Sequence, residues 1–272
     1  MSHDVRTPIN GIQGCVDIAD RYPDDLKLQQ EARTKIRTAS GYLLNLVNDV
    51  LDMNKLESGN IQLERKHFNL LEVLHNTNEI IRVQANESGV NYYVEDGEII
   101  HTQLIGSPVH FQQILMNIGS NAVKYNQDGG SVTVSCREVS YTDTTAEYEL
   151  TCTDTGIGMS EEFQKKAFEP FAQEGQSART KYAGTGLGLA IAKKLIELQG
   201  GTLFFESIQG KGTKFILHIS FEISAEEQEK KSHMYQNCSV EGVQVLLVED
   251  NELNMEIAEF LLKEEKMKVT KA

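Results

Sequence analysis

Residues 148–158, which read YELTCTDTGIG, join an alternating pattern to a glycine-rich turn. Tyr148, Leu150 and Cys152 alternate with polar residues, which is the period of a strand with one covered face. Asp154 continues this phase, so we expect its carboxylate to point towards the covered face where the strand ends. A buried carboxylate needs a hydrogen-bond donor, and the exocyclic amine of adenine is one candidate. The plainer alternative is a strand-ending turn whose aspartate is satisfied within the protein.

A second motif, GTGLGL at residues 184–189, leads into a predicted helix over residues 188–198. Backbone amides at a helix N-terminus bind phosphate when glycine leaves them accessible, although short glycine runs before helices are common. The motif is not a P-loop, because no Lys-Ser/Thr pair follows it. Residues 174–183 are small and polar and carry Arg179 and Lys181, which predicts a lid with cations for an anion. A solvated loop is the alternative.

A third motif, NIGSNAVKY at residues 117–125, lies in a predicted helix over residues 108–124. Asn117 and Asn121 are one helical turn apart and share a face, which Lys124 continues. Two neutral oxygen ligands and a cation suit a magnesium–triphosphate group. A polar helix face is the alternative, and the apolar residues around the asparagines argue against full exposure.

The remaining pattern predicts the fold class of the central part of the chain. A further helix is expected over residues 70–86, and strands over residues 90–94, 132–136, 148–152, 203–206 and 214–221. Helices and strands in this mixture predict an α+β or α/β sandwich, with a sheet layered on helices.

The N-terminal segment is predicted to be an all-α helical hairpin. Apolar residues recur at steps of three and four over residues 5–19 and again over residues 32–53, and residues 22–25 break the pattern. The second stripe is too broad for one hairpin to bury. We therefore expect two hairpins to form a dimeric four-helix bundle, which makes a homodimer.

Composition limits the classes of partner. The chain has 272 residues and a net charge of -14, which disfavours nucleic acid and anionic lipid. No apolar run approaches the ~20 residues of a membrane helix, and no signal peptide is visible. The four cysteines show no CxxC pair, as expected for free thiols in a reducing compartment. We expect this segment to be cytoplasmic, with a membrane-anchored parent left open.

The three motifs, together with FEPF at residues 168–171 and GKGT at residues 210–213, resemble in kind and order the ATP-binding domain of sensor histidine kinases, a fold shared with gyrase. The resemblance implies that Asp154 binds the adenine amine, that Asn121 chelates magnesium and that Asn117 and Lys124 contact phosphates. Tyr125 would lie against the base. The full set of nucleotide-binding residues it implies is Asn117, Asn121, Lys124, Tyr125, Asp154, Gly156, Gly158, Phe168, Phe171, Arg179, Lys181, Gly184, Thr185, Gly186, Leu187, Gly188 and Thr213.

Residues 2–8, SHDVRTP, resemble the phosphoacceptor box of the same family. The resemblance implies that His3 accepts the γ-phosphoryl group of ATP, that Asp4 supports the imidazole and that Thr7 can orient water for dephosphorylation. Family members more often carry Glu at the position of Asp4. The implied function is ATP-dependent autophosphorylation followed by transfer to an aspartate of a receiver domain. Two alternatives are an ATPase of the gyrase or mismatch-repair type and a non-catalytic signalling scaffold.

Residues 243–272 resemble the beginning of a response-regulator receiver domain. Residues 245–248 would form its first strand and residues 253–262 a helix, and Glu249 and Asp250 would be two acids of an incomplete magnesium site. The expected division is a phosphoacceptor hairpin at 1–64, an ATP-binding domain at 65–223, a linker at 224–242 and a truncated receiver at 243–272. The parent would then be a hybrid kinase.

Overall fold

A computed structural model describes residues 2–59, 61–174, 185–224, 242–248, 252–264 and 266–271; for residues 2–4 and 252–253 it describes the backbone alone. The chain divides into two compact units, residues 1–225 and 226–272.

The first unit begins with the predicted helical hairpin. Helix α1 (Ser2–Arg21) packs along helix α2 (Leu26–Glu57), and Pro8 lies inside α1. The break between them falls where the sequence predicted it. Asp25 caps α2, because its Oδ1 accepts hydrogen bonds from the backbone amides of Lys27 and Leu28.

The remainder of the first unit is a seven-stranded sheet covered by helices. The strands are β1 (Lys66–Asn69), β2 (Asn91–Glu95), β3 (Gln103–Gly106), β4 (Ser131–Tyr141), β5 (Thr145–Asp154), β6 (Thr202–Ile208) and β7 (Gly212–Ile223). Their order is β1-β3-β7-β5-β4-β2, and β6 pairs with β7. Only the β2–β4 pair is parallel among the pairs in the described part of this sheet.

Three long helices pack on this sheet: α3 (Leu70–Glu87), α4 (Pro108–Lys124) and α6 (Gly188–Leu198), with a short α5 (Glu161–Gln164) between them in sequence. The core lies between these helices and the alternating side chains of β5 and β7, such as Tyr148 and Leu217. Asp154 is in phase with the buried residues of β5 and is itself buried. The predicted α/β sandwich after a helical hairpin is therefore confirmed.

The second unit contains a strand, a helix and a second strand. Strands β8 (Gln244–Leu247) and β9 (Lys268–Lys271) pair in parallel, and helix α7 (Glu252–Glu264) connects them. The sequence prediction had the first strand and the helix but missed β9, which is short and has lysine at both ends. Most of the predicted linker, together with Glu249 and Asp250, lies outside the described residues.

None of the helices described here is long and apolar enough to cross a membrane.

Candidate active site

The motifs predicted from the sequence meet around one cavity of about 700 Å³, called here the nucleotide cavity. It is bordered by α4, by the end of β5, by the turn before α6 and by helix α2 of the hairpin. The predicted site residues that line it are Asn117, Asn121, Lys124, Tyr125, Asp154, Gly158, Thr185, Gly186, Gly188 and Thr213. Segments that are far apart in the sequence therefore contribute to one site.

Asp154 is buried at one end of the nucleotide cavity, with 7% of its surface exposed. Its Oδ1 accepts hydrogen bonds from the backbone amides of Gly156 at 2.8 Å and Thr213 at 3.3 Å. Burial raises the pKa of Asp154 to about 6, and the two amide hydrogen bonds oppose this shift. Among the described residues, hydrogen bonds reach only Oδ1. Oδ2 can therefore accept a hydrogen bond from a ligand.

The polar face of α4 forms a second wall. Nδ2 of Asn117 is buried and has no hydrogen-bond partner among the described residues, which is an uncommon state for a buried amide. The same side chain lies against the start of α6, since a Cβ added to Gly188 would be 3.4 Å from Oδ1 of Asn117. Nζ of Lys124 donates to the Tyr125 hydroxyl at 3.1 Å and lies 4.6 Å from the centre of that ring. Burial lowers the pKa of Lys124 to about 8.

The turn before α6 places a hydroxyl and glycine backbone at the cavity. The Thr185 hydroxyl oxygen accepts a hydrogen bond from the backbone amide of Leu187 at 3.2 Å. Gly186 has φ of +72° and packs against the backbone of Phe171 and Ala172, so the turn is fixed to the segment after the FEPF motif. The amides at the N-terminus of α6 are available to an anion in this geometry.

Other predicted residues lie outside the lining of the cavity. Leu187 is fully buried in the core, and Phe168 packs against Phe205, with ring centres 5.3 Å apart. Phe171 is exposed, with φ of +64°. Gly156 is buried beside Asp154. Arg179, Lys181 and Gly184 lie outside the described residues, as do Glu249 and Asp250. His3 and Asp4 lie in α1, where only their backbone is described, and Thr7 is exposed on the same helix.

The sequence analysis missed the contribution of the hairpin to this cavity. Oδ2 of Asp49 accepts a hydrogen bond from the Thr185 hydroxyl at 2.6 Å, and Oδ2 of Asp52 accepts one from Nε2 of Gln113 at 2.7 Å. Burial raises the pKa of Asp49, the hydrogen bond from Thr185 opposes the shift, and the charge of Asp52 adds to it. The α2 residues that line the cavity are Tyr42, Asn45, Asn48, Asp49 and Asp52. Their spacing of three and four places them on one face of α2, and this signal could have identified them.

Comparison with known families agrees with this architecture. Residues 1–59 match the His Kinase A (phospho-acceptor) domain, and residues 106–223 match the histidine kinase-, DNA gyrase B- and HSP90-like ATPase domain. Together the two matches span more than half of the chain.

Curated relatives include two long signalling proteins. The autoinducer 2 sensor kinase/phosphatase LuxQ of Vibrio vulnificus is 32% identical over 257 residues, which are 93% of this chain and 30% of that protein. The signal transduction histidine-protein kinase BarA of Escherichia coli is 31% identical over 224 residues, which are 82% of this chain and 24% of that protein. The chain thus spans less than a third of the length of either relative.

Solved structures share the fold. Full-length ShkA in complex with AMPPNP matches with a TM-score of 0.61 and 24% identity, over 100% of this chain and 54% of that one. Histidine kinase AdeS of Acinetobacter baumannii matches with a TM-score of 0.58 and 21% identity, over 82% of this chain and 98% of that one. The phosphoacceptor and ATPase domains are both matched, and the motifs of the second domain meet at one cavity. The chain therefore belongs to the sensor histidine kinases.

Proposed function

We propose that this chain moves the γ-phosphoryl group of ATP onto the imidazole of His3 and then passes it to an aspartate of a receiver domain. The observation that carries the proposal is the meeting of Asp154, the polar face of α4 and the turn before α6 at one cavity. Helix α2 of the hairpin also borders that cavity. The helical hairpin, which carries His3 on α1, is therefore packed through α2 against the domain that would bind ATP.

In this proposal the nucleotide lies lengthwise in the cavity. The adenine amine donates to Oδ2 of Asp154, because Oδ1 already accepts two backbone hydrogen bonds. The triphosphate extends along α4 towards the N-terminus of α6, where Lys124 and the backbone amides supply positive potential. Tyr125, whose ring lies beside Lys124, faces the base.

The family implies magnesium, and the residues at this end of the cavity fit it. Asn121 lines the cavity and offers an amide oxygen to a cation, while the buried Nδ2 of Asn117, which has no hydrogen-bond partner among the described residues, can donate to a phosphate oxygen. Asp49 and Asp52 line the same cavity, so the triphosphate would meet negative charge that a divalent cation offsets. Asn121 would hold the ion together with phosphate oxygens, and the ion would neutralise charge on the transferred group.

The acceptor chemistry uses three residues of α1. The unprotonated nitrogen of His3 attacks the γ-phosphorus in line while the bond to the ADP oxygen breaks. Asp4 accepts a hydrogen bond from the other ring nitrogen and stabilises the positive charge that develops on the ring. Thr7, one helical turn after His3, orients water when the phosphoryl group is removed again.

The hairpin and the second unit support the proposed partners. Leu44, Val47 and Leu51 are exposed on α2, with 61%, 43% and 50% of their surfaces accessible, as a second hairpin would require. The strand–helix–strand order of β8, α7 and β9 fits the opening of a receiver domain, so we propose the division 1–64, 65–223, 224–242 and 243–272 in a hybrid kinase. We place this core in the cytoplasm, where ATP is available, within a longer sensor protein.

The test is self-labelling with γ-labelled ATP. We expect an acid-labile label on the unmodified chain, no label on His3→Gln and undiminished nucleotide binding by both. His67→Gln, which changes an exposed histidine on β1 that lines neither cavity, is the matched control and should label normally. Sustained phosphate release without self-labelling would instead favour an ATPase. The absence of both self-labelling and phosphate release would favour a scaffold. Mass spectrometry that places the phosphate on another residue would contradict the assignment of His3.

A further inference from the structure

A second cavity lies behind the nucleotide cavity and is called here the rear cavity. It has a volume of about 290 Å³ and lies between α3, α4 and strands β2, β4, β5 and β7. Its walls are mostly apolar and include Ile81, Ile118, Val134, Leu150 and Phe215. Native interiors contain few voids larger than a water molecule, so a cavity of this size is typical of a ligand site.

The polar groups of the rear cavity limit the charge of what it can hold. The Tyr92 hydroxyl donates to Oδ1 of Asn78 at 2.8 Å, which leaves its oxygen able to accept from a ligand. The wall also includes Cys136 and Cys152, and burial raises the pKa of both thiols to about 12, so they stay uncharged. Two exposed acids, Glu95 and Asp96, line the cavity and outnumber the guanidinium of Arg82, which also lines it, so the balance of charge disfavours an anion.

The two cavities share a wall. Helix α4 turns Leu115, Ile118 and Gly119 towards the rear cavity and Asn117 and Asn121 towards the nucleotide cavity. Phe215 of β7 lines both cavities. Any shift of α4 or of the Phe215 ring therefore changes the shape of both.

We propose that the rear cavity binds a neutral, mostly apolar small molecule with one hydrogen-bonding group, and that its occupancy changes the affinity of the chain for ATP. A dry cavity of about 150 Å³ holds benzene, so this one holds roughly twelve non-hydrogen atoms, the size of a bicyclic aromatic. The coupling follows from the shared wall, and it acts equally in both directions: ATP changes the affinity for the ligand by the same factor.

Indole is a suitable probe, because the chain has no tryptophan and its binding can be followed by fluorescence without a protein indole signal. We expect saturable binding to the full chain, and a change of about fivefold in the apparent Kd for ATP when indole is saturating. Val134→Phe fills the cavity and should weaken indole binding by about tenfold or more. Val139→Phe is the matched control, because Val139 lies on the same strand, is exposed and lines neither cavity.

Methyl NMR of the unmodified chain provides a second measurement if Val134→Phe does not fold. Indole should shift the methyl signals of Ile81 and Ile118, which line the rear cavity, more than that of Ile208, which lies outside it. Absence of saturable binding would overturn the proposal, as would binding that survives Val134→Phe or that ATP abolishes by direct competition. Binding with no effect on ATP affinity would overturn the coupling.

Discussion

The carboxylate of Asp49 in the hairpin accepts a hydrogen bond of 2.6 Å from the hydroxyl of Thr185, at the turn that opens α6. Because the same hydroxyl accepts from the amide of Leu187, it connects the hairpin to the N-terminus of α6. Asp52 makes the corresponding contact to Gln113 of α4. Both carboxylates line the nucleotide cavity, so a bound triphosphate and this docking contact repel each other.

Replacing Asp49 with Asn should therefore strengthen ATP binding. The amide oxygen can still accept from Thr185, so the substitution removes charge and retains the contact. Removal of one negative charge near the triphosphate should increase affinity by roughly 1 kcal/mol, about fivefold. Titration calorimetry measures this directly, with Asp20→Asn on the exposed face of α1 as the control. Equal or weaker binding by Asp49→Asn would contradict the repulsion.

ATP binding should weaken as the pH falls through about 6. The folded-state pKa of Asp154 is raised to about 6, so its carboxylate becomes protonated between neutral pH and pH 5. A protonated carboxyl group no longer provides a charged acceptor for the adenine amine. The phosphates of ATP also titrate in this range. The pH dependence of ATP affinity is therefore compared between the unmodified chain and Asp154→Asn, because ATP protonation affects both proteins equally. Identical pH profiles for the two proteins would remove Asp154 from adenine recognition.

Asp154→Asn should change stability and binding in opposite directions. Folding raises the pKa of Asp154 to about 6, so the protonated side chain favours the folded state. This contribution to the free energy of unfolding is fully present below about pH 4 and is lost as the pH rises through about 6. At pH 7.5 the ionised side chain thus costs stability, and Asn should recover about 1–2 kcal/mol in the nucleotide-free protein. ATP affinity should fall by about 2 kcal/mol, because an amide can present its NH₂ group to the adenine amine. Thermal unfolding with and without ATP measures both effects, and Asp143→Asn in the β4–β5 turn is the control.

Much of this site was predictable, and the reason is local periodicity. The bounds of α4 agree with the prediction at both ends, since Pro108 suits a first turn and the apolar stripe continues to the last one. The inward direction of Asp154 followed from the two-residue period of β5. Strands β1 and β3 were missed, because each has four residues and depends on pairing with a distant strand. The role of Asp49 was missed because it arises only when the hairpin packs on the ATP-binding domain.

Gly158 offers a test of close packing at the nucleotide cavity. It has φ of +61°, and an added Cβ would overlap the carbonyl oxygen of Ile208. Gly210 has φ of +81° but has nothing within 4 Å of an added Cβ. Alanine at either position incurs backbone strain of about 1–2 kcal/mol. Only Gly158→Ala also displaces backbone beside the cavity, so it should lose much more ATP affinity than Gly210→Ala. If calorimetry shows equal losses of ATP affinity for the two variants, backbone strain alone would explain the requirement for glycine at position 158.

Residues 244–271 should exchange their amide hydrogens rapidly. Strands β8 and β9 pair only with each other in the described part of the chain, and α7 is a single helix. Leu246, Val248 and Phe260 are exposed, with 65%, 69% and 63% of their surfaces accessible. So little apolar burial does not offset an ordering cost of roughly 1–2 kcal/mol per residue.

Hydrogen exchange followed by mass spectrometry tests this, with α4 of the same chain as the protected reference. We expect the second unit to exchange far faster than α4, because its helix and strands open without unfolding the core. We also expect it to bind magnesium weakly and to accept no phosphoryl group from His3. Truncation after Ser224 should then leave self-phosphorylation intact and reduce association at high concentration, since exposed apolar strands pair between molecules. Protection of β8 equal to that of α4, or loss of self-phosphorylation on truncation, would show that the second unit stabilises the kinase core.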